Sequence, residues 1–318
     1  LSGGVRMACV VVRSAVMGGA GSDLARRLLN RGVHVIQEAP VHHDDLADCL
    51  REARPRGVLY RVSDLYVRLP AVRRFIAAAR ALRLEQAPVY VDAACAIQVA
   101  FPLLHILGEA LGAVRPWRVH APARSGDAPW SILTGVIGGV PFSLRVHNQV
   151  DPEDPDNHLP LLHRVTIGLA GGSLTLTDTH GPVIWSPRLH IPDAVKQRLD
   201  FAGDGTAHLA EPSSIALGPW QPPSYRRILG ELWPRAIGQE LLAFRRAIMG
   251  GEERAARPEQ YQLTLCQMWQ DLTAQLGYPS TRASQSHRPL SVDPLLATVA
   301  GIDEDNPRTP PSLTSGVS

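Results

Sequence analysis

The stretch HVIQEAPVHHDDLADCL, residues 34–50, concentrates side chains that can do chemistry. Its first twelve residues hold three histidines, one glutamate and two aspartates, which are residue types found in metal sites and in acid–base catalysis. The run from His42 to Asp45 is better explained as the start of a helix, because adjacent residues do not readily bind one ion and acidic side chains favour the positive end of the helix dipole. No matching second cluster follows, so we predict no metal site.

The elements around this stretch alternate between strand and helix. Ser22 or Asp23 is expected to cap the first helix and Asp44 the second, while the third is an amphipathic helix over 69–84. The apolar runs typical of strands covered on both faces are MACVVV (7–12), VHVIQE (33–38), GVLYRV (57–62) and PVYVDA (88–93). This alternation predicts a parallel sheet of four strands.

The carboxyl ends of the predicted parallel strands are the places where ligands are expected. In open α/β sheets, nucleotides and other ligands bind in the crevice outside these ends. Gln37, Glu38 and Pro40 fall at the end of the second strand, and Tyr66 follows the third. Glu38 and Pro40 are therefore better candidates for chemistry than the histidines that follow them.

The middle of the chain has a different pattern. Strands 143–150, 163–169 and 173–178 follow one another without helices between them, and Gly171-Gly172 marks a hairpin. An antiparallel sheet is therefore predicted, with helices at 96–111, 224–249 and 258–276. Ser, Pro, Thr and Arg dominate after Pro279, which predicts a disordered tail. We expect domains at 1–92 and 93–278, followed by the tail at 279–318.

The composition of the 318 residues excludes several classes of protein. The formal net charge is +2 and no basic block is present, which argues against nucleic acid as a partner. No apolar run reaches the roughly 18 residues that a membrane span needs, and no signal peptide is evident. The four cysteines form no CxxC pair, so a zinc ribbon or redox pair is not expected. These features are typical of a cytoplasmic protein.

Several strings of residues resemble known oxidoreductases. A strand ending in HVxxExP before a polar helix is similar to the HVxxEKP motif of the glucose–fructose oxidoreductase/inositol dehydrogenase superfamily. A narrower resemblance, over about residues 5–278, is to the thiazolinyl imine reductases. Its strings are CVVVRSAVMGGAGSDLARRLL, HVIQEAPVHHDDLADCL, LYVRLPAVRRFI, VDAACAIQVAFPLLHILGEALG and SLTLTDTHGPVIWSPRLHIP.

The resemblance implies both a fold and a reaction. The implied fold is α/β: a Rossmann-type parallel sheet domain, incomplete here, followed by an α+β domain with an open-faced, mainly antiparallel sheet. The implied reaction is NADPH-dependent reduction of a thiazoline to a thiazolidine during siderophore assembly of the pyochelin or yersiniabactin kind. The substrate would be an intermediate bound to the carrier protein of a nonribosomal peptide synthetase.

Two departures from the family pattern favour a second hypothesis. The family's glycine-rich turn is absent: GGAG (18–21) lacks the GxGxxG spacing, and we expect about sixty residues, two strand–helix units, to be missing upstream. Ala39 stands where imine reductases carry His and sugar dehydrogenases carry Lys, and Ala cannot donate a proton. The alternative is a truncated or non-catalytic homologue that keeps the oligomerising sheet domain but cannot bind the cofactor.

Reduction of a C=N bond needs a hydride on carbon and a proton on nitrogen. With Ala39 unable to act, Tyr66 is the leading acid; packing against the helix that begins at Leu69 is the alternative role for Tyr66, and water is an alternative acid. Arg13 and Ser14, at the end of the first strand, are expected to contact the cofactor ribose or nicotinamide.

Three further residues and one segment bear on the reaction. Gln98 and Pro102 replace the Asp and His of sugar-acting relatives, which argues against alcohol dehydrogenation. His105 is expected to be a buried, hydrogen-bonded histidine, and DTHGP (178–182) a hairpin turn rather than a site.

We also expect a homo-oligomer formed through the open face of the antiparallel sheet. Alternation along three strands leaves an apolar side with few helices available to cover it. Its residues are Leu144, Val146, Val165, Ile167, Leu174 and Leu176.

Overall fold

The computed structural model describes residues 4–12, 19–121, 128–154, 159–250, 256–283 and 290–304. The beginning of the chain forms a three-stranded parallel sheet in the order β1 (Met7–Val10), β2 (His34–Glu38) and β3 (Tyr60–Ser63). Val10 pairs with Gln37, and Gln37 with Val62, so the three strands end side by side. Arg13 and Ser14 lie outside the described residues.

Helices α1 (Ala20–Leu29), α2 (His43–Ala53) and α3 (Pro70–Glu85) follow the three strands in turn. The predicted caps of the first two helices are wrong by two or more residues. The cap of α1 is Gly19, while Ser22 and Asp23 lie inside the helix. The cap of α2 is His42, whose Nδ1 accepts a hydrogen bond from the Asp44 N–H at 3.4 Å. His42 takes this role because its extended backbone ends the preceding loop, which leaves Asp44 in the first turn.

The third helix matches its predicted amphipathic pattern. Leu69, Val72 and Phe75 are fully buried, and the arginines at 73, 74, 80 and 83 are exposed. Strand β1 is less covered than its apolar sequence indicates: Cys9 is exposed and Val11, just after the strand, is 65% exposed. The reason is that β1 lies at the edge of its sheet, where among the described strands it pairs only with β2.

Strand β4 (Pro88–Ala96) does not extend the first sheet, so the predicted four-stranded parallel sheet is wrong. It lies inside a second sheet, between one strand that runs parallel to it and another that runs antiparallel. The reason is the position of α3, which packs on the second sheet and on the helix after β4, so that the chain leaving α3 enters that sheet. The predicted boundary between residues 92 and 93 falls inside β4.

The second sheet has eight strands and is mainly antiparallel. Besides β4 it contains β5 (Trp117–Val119), β6 (Trp130–Ile137), β7 (Val140–His147), β9 (His163–Leu169), β10 (Gly172–Leu176), β11 (Val183–Pro187) and β12 (Ile215–Ala216). Their spatial order is β12-β11-β10-β9-β4-β7-β6-β5. The predicted hairpin at Gly171-Gly172 is confirmed, since it joins β9 to β10. A parallel sheet followed by a mainly antiparallel one is the predicted fold class.

Besides five short 3-10 or π segments, the remaining described elements are two short strands and six α-helices. The strands are β8 (Gln149–Val150) and β13 (Ser280–Thr281), which pair in parallel. The helices are α4 (Ala100–Leu111), α5 (Asp193–Arg198), α6 (Tyr225–Arg227), α7 (Trp233–Gly250), α8 (Ala256–Leu276) and α9 (Asp293–Glu304). None of the helices in these described ranges is long and apolar enough to span a bilayer.

One face of the second sheet is covered within the chain itself. The apolar side chains from Leu144 to Leu176 that were predicted to need a partner are all buried, and α3 and α4 contact the strands that carry them or lie beside them. The argument for an oligomer from that apolar face is therefore wrong. The opposite face is the open one, and it exposes Tyr90, Asp92, Ile132, Arg145 and Arg164.

The predicted disordered tail contains ordered elements. Ser280 and Thr281 pair with Gln149 and Val150, and α9 follows a turn in which the Asp293 N–H donates to Ser291 Oγ at 3.2 Å. This local Ser-to-backbone bond satisfies an amide at the start of the helix, which a reading of composition alone misses. Residues 284–289 and 305–318 lie outside the described residues.

Candidate functional site

The ends of β2 and β3 form the floor of the candidate site. Glu38, the last residue of β2, is exposed, and the Ala39-Pro40 peptide after it is cis. The Ala39 N–H donates to the Ser63 carbonyl at 3.0 Å and ties the two strand ends together. Glu38 and Pro40 therefore lie where the alternation of strands and helices predicted ligand contacts.

Gln37 lies deeper than the prediction requires. Its side chain has no exposed surface, and Oε1 accepts a 2.7 Å hydrogen bond from the Tyr60 hydroxyl on the neighbouring strand. This bond satisfies a buried amide and positions β2 against β3. The side chain as placed offers no surface to a cofactor.

Tyr66 stands at the end of β3, in a short 3-10 turn covering Tyr66–Arg68. Its backbone N–H donates to Asp64 Oδ1 at 2.9 Å, and the other oxygen of that carboxylate lies 2.9 Å from His105 Nδ1 on α4. Asp64 is 6% exposed, so these bonds supply the partners that a buried charge needs. His105 was predicted to be buried and hydrogen-bonded: this contact confirms the hydrogen bond, but the side chain is only partly buried.

The Tyr66 ring is half-buried between two aromatic side chains that arrive from the second half of the chain. The His163 ring is edge-on at a centroid distance of 5.0 Å, and the Trp233 ring at 6.3 Å. Both distances lie in the range of favourable aromatic pairs. The ring is therefore held against the first residues of α7 and β9, and it remains partly accessible.

His163 is fully buried and belongs to a closed hydrogen-bond network. Its backbone N–H donates to Thr179 Oγ1 at 3.1 Å, its Nδ1 lies 3.0 Å from the same oxygen, and its Nε2 lies 3.0 Å from the Val99 carbonyl. A neutral ring satisfies this network by donating from Nε2 to Val99 and accepting at Nδ1 from the Thr179 hydroxyl. Burial lowers the pKa of His163 to about 4, so the ring is neutral at neutral pH.

The DTHGP segment forms the predicted turn and also contributes to the site. The Gly181 N–H donates to the Asp178 carbonyl at 2.9 Å, which closes the turn. His180 is 9% exposed; its Nδ1 lies 3.3 Å from Asp178 Oδ1, and its Nε2 accepts a 3.1 Å bond from the Trp233 indole N–H. Burial raises the pKa of Asp178, but hydrogen bonds from the His180 side chain and backbone outweigh it and lower that pKa overall.

A cavity of about 480 Å³ opens beside Pro40, at the junction of the two sheets. Its walls are mostly apolar, with Ile97, Trp269 and Tyr278 among them. Gln98 also lines it, and within the described part of the chain neither its amide nitrogen nor its amide oxygen has a hydrogen-bond partner, although both atoms are buried. An unpaired buried amide is costly, so a rotation of this side chain toward the cavity would gain the partners that it lacks.

Sequence reasoning placed Tyr66, Glu38 and Pro40 correctly at strand ends but missed the residues around them. Asp64 had a detectable signal, since it is a polar residue directly after a predicted strand. His163 and Trp233 had none, because their proximity to Tyr66 depends on how the second sheet and α7 pack. Among the described residues no group of three or more His, Cys, Asp or Glu side chains could hold a metal ion.

Comparisons with known proteins agree with this geometry. Residues 1–63 match the model of an oxidoreductase family, GFO_IDH_MocA, with an NAD-binding Rossmann fold. Residues 86–186 match the model of the C-terminal domain of the Irp3-like thiazolinyl imine reductases. A comparison with curated proteins finds no match.

Solved structures of low sequence identity share the fold. KijD10, a 3-ketoreductase from Actinomadura kijaniata in complex with NADP, is 14% identical with a TM-score of 0.55, over 88% of this chain and 80% of that one. GenD2 from gentamicin A biosynthesis, in complex with NAD, is 14% identical with a TM-score of 0.53, over 84% and 75%. An inositol dehydrogenase homologue from Azotobacter vinelandii, complexed with NAD+, is 11% identical with a TM-score of 0.56, over 86% and 75%.

These two matches support an NAD(P)-dependent oxidoreductase. Residues 1–63 are similar to the NAD-binding domain of the GFO_IDH_MocA oxidoreductases, and residues 86–186 are similar to the C-terminal domain of the Irp3-like thiazolinyl imine reductases. The chain is an NAD(P)-dependent enzyme, and its cofactor is a nicotinamide dinucleotide.

The described residues fit the nicotinamide end of such a cofactor. The cavity beside Pro40 is apolar enough to receive a flat ring, while the buried Gln98 amide would have to turn toward the cavity to meet a carboxamide. Glu38 is exposed at the same strand ends. The sequence contains no GxGxxG turn, so the fit concerns the nicotinamide and not the pyrophosphate.

Proposed function

We propose that the protein reduces the C=N bond of a thiazoline to a thiazolidine, with NADPH as the reductant. The observation that carries this proposal is the match of residues 86–186 to the thiazolinyl imine reductase C-terminal domain, the part of the chain that supplies His163 and Gln98 to the site. The replacement of the sugar-type Asp and His by Gln98 and Pro102 supports it, since hydroxyl oxidation needs a base that these two residues cannot supply.

In the proposed reaction Glu38 and Pro40 would help to hold the cofactor, which would be the source of the hydride for the imine carbon. Tyr66 donates a proton to the imine nitrogen through its hydroxyl. Asp64 fixes the backbone of Tyr66, while the rings of His163 and Trp233 set the direction of its side chain. Because His163 is neutral and fully hydrogen-bonded, it acts by position and not by proton transfer. The apolar walls beside Pro40 exclude water from the reacting carbon.

The substrate is proposed to be a thiazoline intermediate bound to the carrier protein of a nonribosomal peptide synthetase, in siderophore assembly in the cytoplasm. Glu38 and Pro40 are proposed to contact the cofactor, and Arg13 and Ser14, which follow β1 in the sequence, remain proposed contacts. The chain is also proposed to form a homo-oligomer through its open sheet face.

The direct test is an assay with a synthetic thiazoline thioester and either NADPH or NADH. Loss of cofactor absorbance together with a product that has gained one hydride and one proton by mass is the expected result, with NADPH preferred. A folded protein that turns over neither cofactor would contradict the proposal and favour a non-catalytic homologue. Oxidation of a sugar hydroxyl with NAD+ would assign the chain to a different reaction of the same family.

A further inference from the structure

A second cavity lies beside the start of α3, and its charge is unlike that of the first. Its volume is about 540 Å³, and Arg74, Arg227, Arg235 and His180 contribute to its walls. No Asp or Glu side chain is among the described residues that line it. We call this the arginine cavity. Three guanidinium groups around a concave surface with no carboxylate produce a positive local potential that attracts anions.

Two of the three arginines have no carboxylate partner among the described residues. Arg227 Nε lies 3.4 Å from Glu231, which is outside the cavity lining. Within the described chain neither Arg74 nor Arg235 lies within 4.0 Å of a carboxylate. An unpaired guanidinium retains its planar set of donors, which matches the oxygens of a phosphate.

The helix that borders the arginine cavity also favours an anion. Pro70 and Ala71, the first residues of the 16-residue α3, are part of the lining, and no side chain caps this end of the helix. Pro70 has no N–H, so the positive partial charge at this point comes from the N–H groups that follow it and from the helix dipole. This contribution has the same sign as that of the arginines.

The rest of the lining is uncharged and stiff. Pro182, Pro219, Pro222 and Pro223 form much of it, and Gln221 and Ser224 add polar side chains without a charge. Proline fixes its own backbone, so these walls are shaped before a ligand arrives. A ligand that matches the cavity therefore has a phosphate at one point and an uncharged chain along the rest.

The arginine cavity is one aromatic layer away from Tyr66. His180 is part of its lining and accepts the Trp233 indole N–H at 3.1 Å, and the Trp233 ring packs edge-on against Tyr66. A chain that starts at the arginines therefore extends toward the proposed acid. We propose that the arginine cavity binds the phosphate of the phosphopantetheine arm that carries the substrate, an inference that rests on the proposed function.

The test is a binding titration of the full chain with pantetheine 4′-phosphate and with pantetheine, which lacks the phosphate. The phosphate is expected to increase affinity by about tenfold or more, the usual effect of charge-assisted hydrogen bonds. The double variant Arg74→Gln/Arg235→Gln should lose this increase and bind both probes alike. Matched controls are Arg73→Gln and Arg226→Gln, neighbouring exposed arginines that do not line the cavity.

Each contrary outcome overturns the proposal. If the parent binds the two probes with equal affinity, the cavity does not bind the phosphate. The same conclusion holds if the control variants lose as much affinity for pantetheine 4′-phosphate as the double variant does. A loss of NADP+ binding relative to NAD+ in the double variant, with pantetheine 4′-phosphate unaffected, would assign the arginines to the cofactor. The titration measures binding and requires no turnover. A failed reduction assay would therefore reject the proposed reaction but would not change the outcome of the titration.

Discussion

At the scale of single residues, Tyr66 is fixed both at its backbone and around its ring. The Asp64 carboxylate holds its N–H, and the rings of His163 and Trp233 hold its phenol in a half-buried position. A side chain held in this way loses little freedom when it reacts, which is the property that a positioned proton donor needs. The phenol contributes two separable things, a ring that packs and a hydroxyl that can donate.

Tyr66→Phe separates these two contributions. The ring and its aromatic contacts remain, so the free energy of unfolding should change little, whereas turnover of a thiazoline substrate should fall by roughly 10²–10⁴. Steady-state rates and denaturant unfolding measure the two effects. Tyr225→Phe, at a 74% exposed tyrosine on α6, is the control and should leave both unchanged. If Tyr66→Phe turns over substrate as fast as the parent, the proton comes from water and Tyr66 has only a packing role.

Ala39→His tests the same assignment from the opposite direction. Ala39 precedes Pro40 and is half-buried beside the end of β3, so an imidazole at this position adds a second proton donor at the strand ends. Activity should rise in the parent and recover in part in the Tyr66→Phe background. If Ala39→His leaves the rate unchanged in both the parent and the Tyr66→Phe variant, position 39 does not face the reacting atoms.

His163 predicts how stability depends on pH. Its pKa in the fold is about 4, below its ordinary value of 6.5, so the unfolded chain binds more protons between these values. The free energy of unfolding should therefore fall as the pH is lowered from about 6.5 to about 4, by about 3 kcal/mol in all from this residue. Urea unfolding at several pH values measures this, and His163→Gln should flatten that part of the profile. His190→Gln, at an exposed histidine, is the control and should leave the profile unchanged. If His163→Gln does not change the pH dependence of the free energy of unfolding, the assignment to His163 is wrong.

At the scale of elements, the sequence predicted most strands and helices but not their grouping into sheets. The apolar sequence pattern identifies β4 as a strand. The same pattern does not show which of the two sheets the strand joins. The sheet that β4 joins is determined by α3, because the buried face of this helix packs on β10 and α4. Tertiary packing of this kind joins residues far apart in sequence and leaves no local signal.

The same limit applies to the site. Glu38, Pro40 and Tyr66 could be predicted because parallel strands place their carboxyl ends together, and that rule depends only on the local alternation of strands and helices. His163 and Trp233 could not, since they reach Tyr66 from β9 and α7. Gln37 had the correct position along its strand, but its side chain bonds to Tyr60 in the core instead of facing a ligand.

Gly135 on β6 predicts how closely two strands must approach. A Cβ atom at this position would overlap the Arg118 carbonyl oxygen on β5 and would lie 2.8 Å from Phe142. Backbone cannot move aside as a flexible side chain can, so Gly135→Ala should lower the free energy of unfolding by about 1–3 kcal/mol. Gly238→Ala in α7 is the matched control. Outside the helix's own backbone, no described atom lies within 4 Å of a Cβ at this position, and the substitution should raise the free energy of unfolding by about 1 kcal/mol. Equal effects in denaturant unfolding would contradict the close approach.

At the scale of the whole molecule, the open sheet face is the surface through which we propose that the chain self-associates. It combines Tyr90 and Ile132, 44% and 45% exposed, with the opposite charges of Asp92 and Arg145. A two-fold axis brings each patch against its own copy, so mixed charges on one face can pair across it. This argument replaces the one from the apolar side, which α3 and α4 cover.

We predict a homodimer that Ile132→Glu converts to a monomer. The added carboxylate would meet its own copy near the axis and would disrupt apolar contact there. Leu84→Glu, at an 84% exposed leucine on α3, is the control and should leave the dimer intact. Light scattering at several protein concentrations measures both. A monomeric parent at high concentration, or a dimer unaffected by Ile132→Glu, would exclude association through this face.

The closed network around His163 has a consequence for the exchange of amide hydrogens with solvent. The His163 N–H is bonded to Thr179 Oγ1, and both residues are fully buried, at the point where β9, the turn before β11 and the segment before α4 meet. Opening this amide to water requires all three segments to separate, so it should exchange only when the whole chain unfolds. It is expected to be among the last amides to take up deuterium, while those of the exposed α9 exchange early, so that the interior behind Tyr66 is the most persistent part of the molecule.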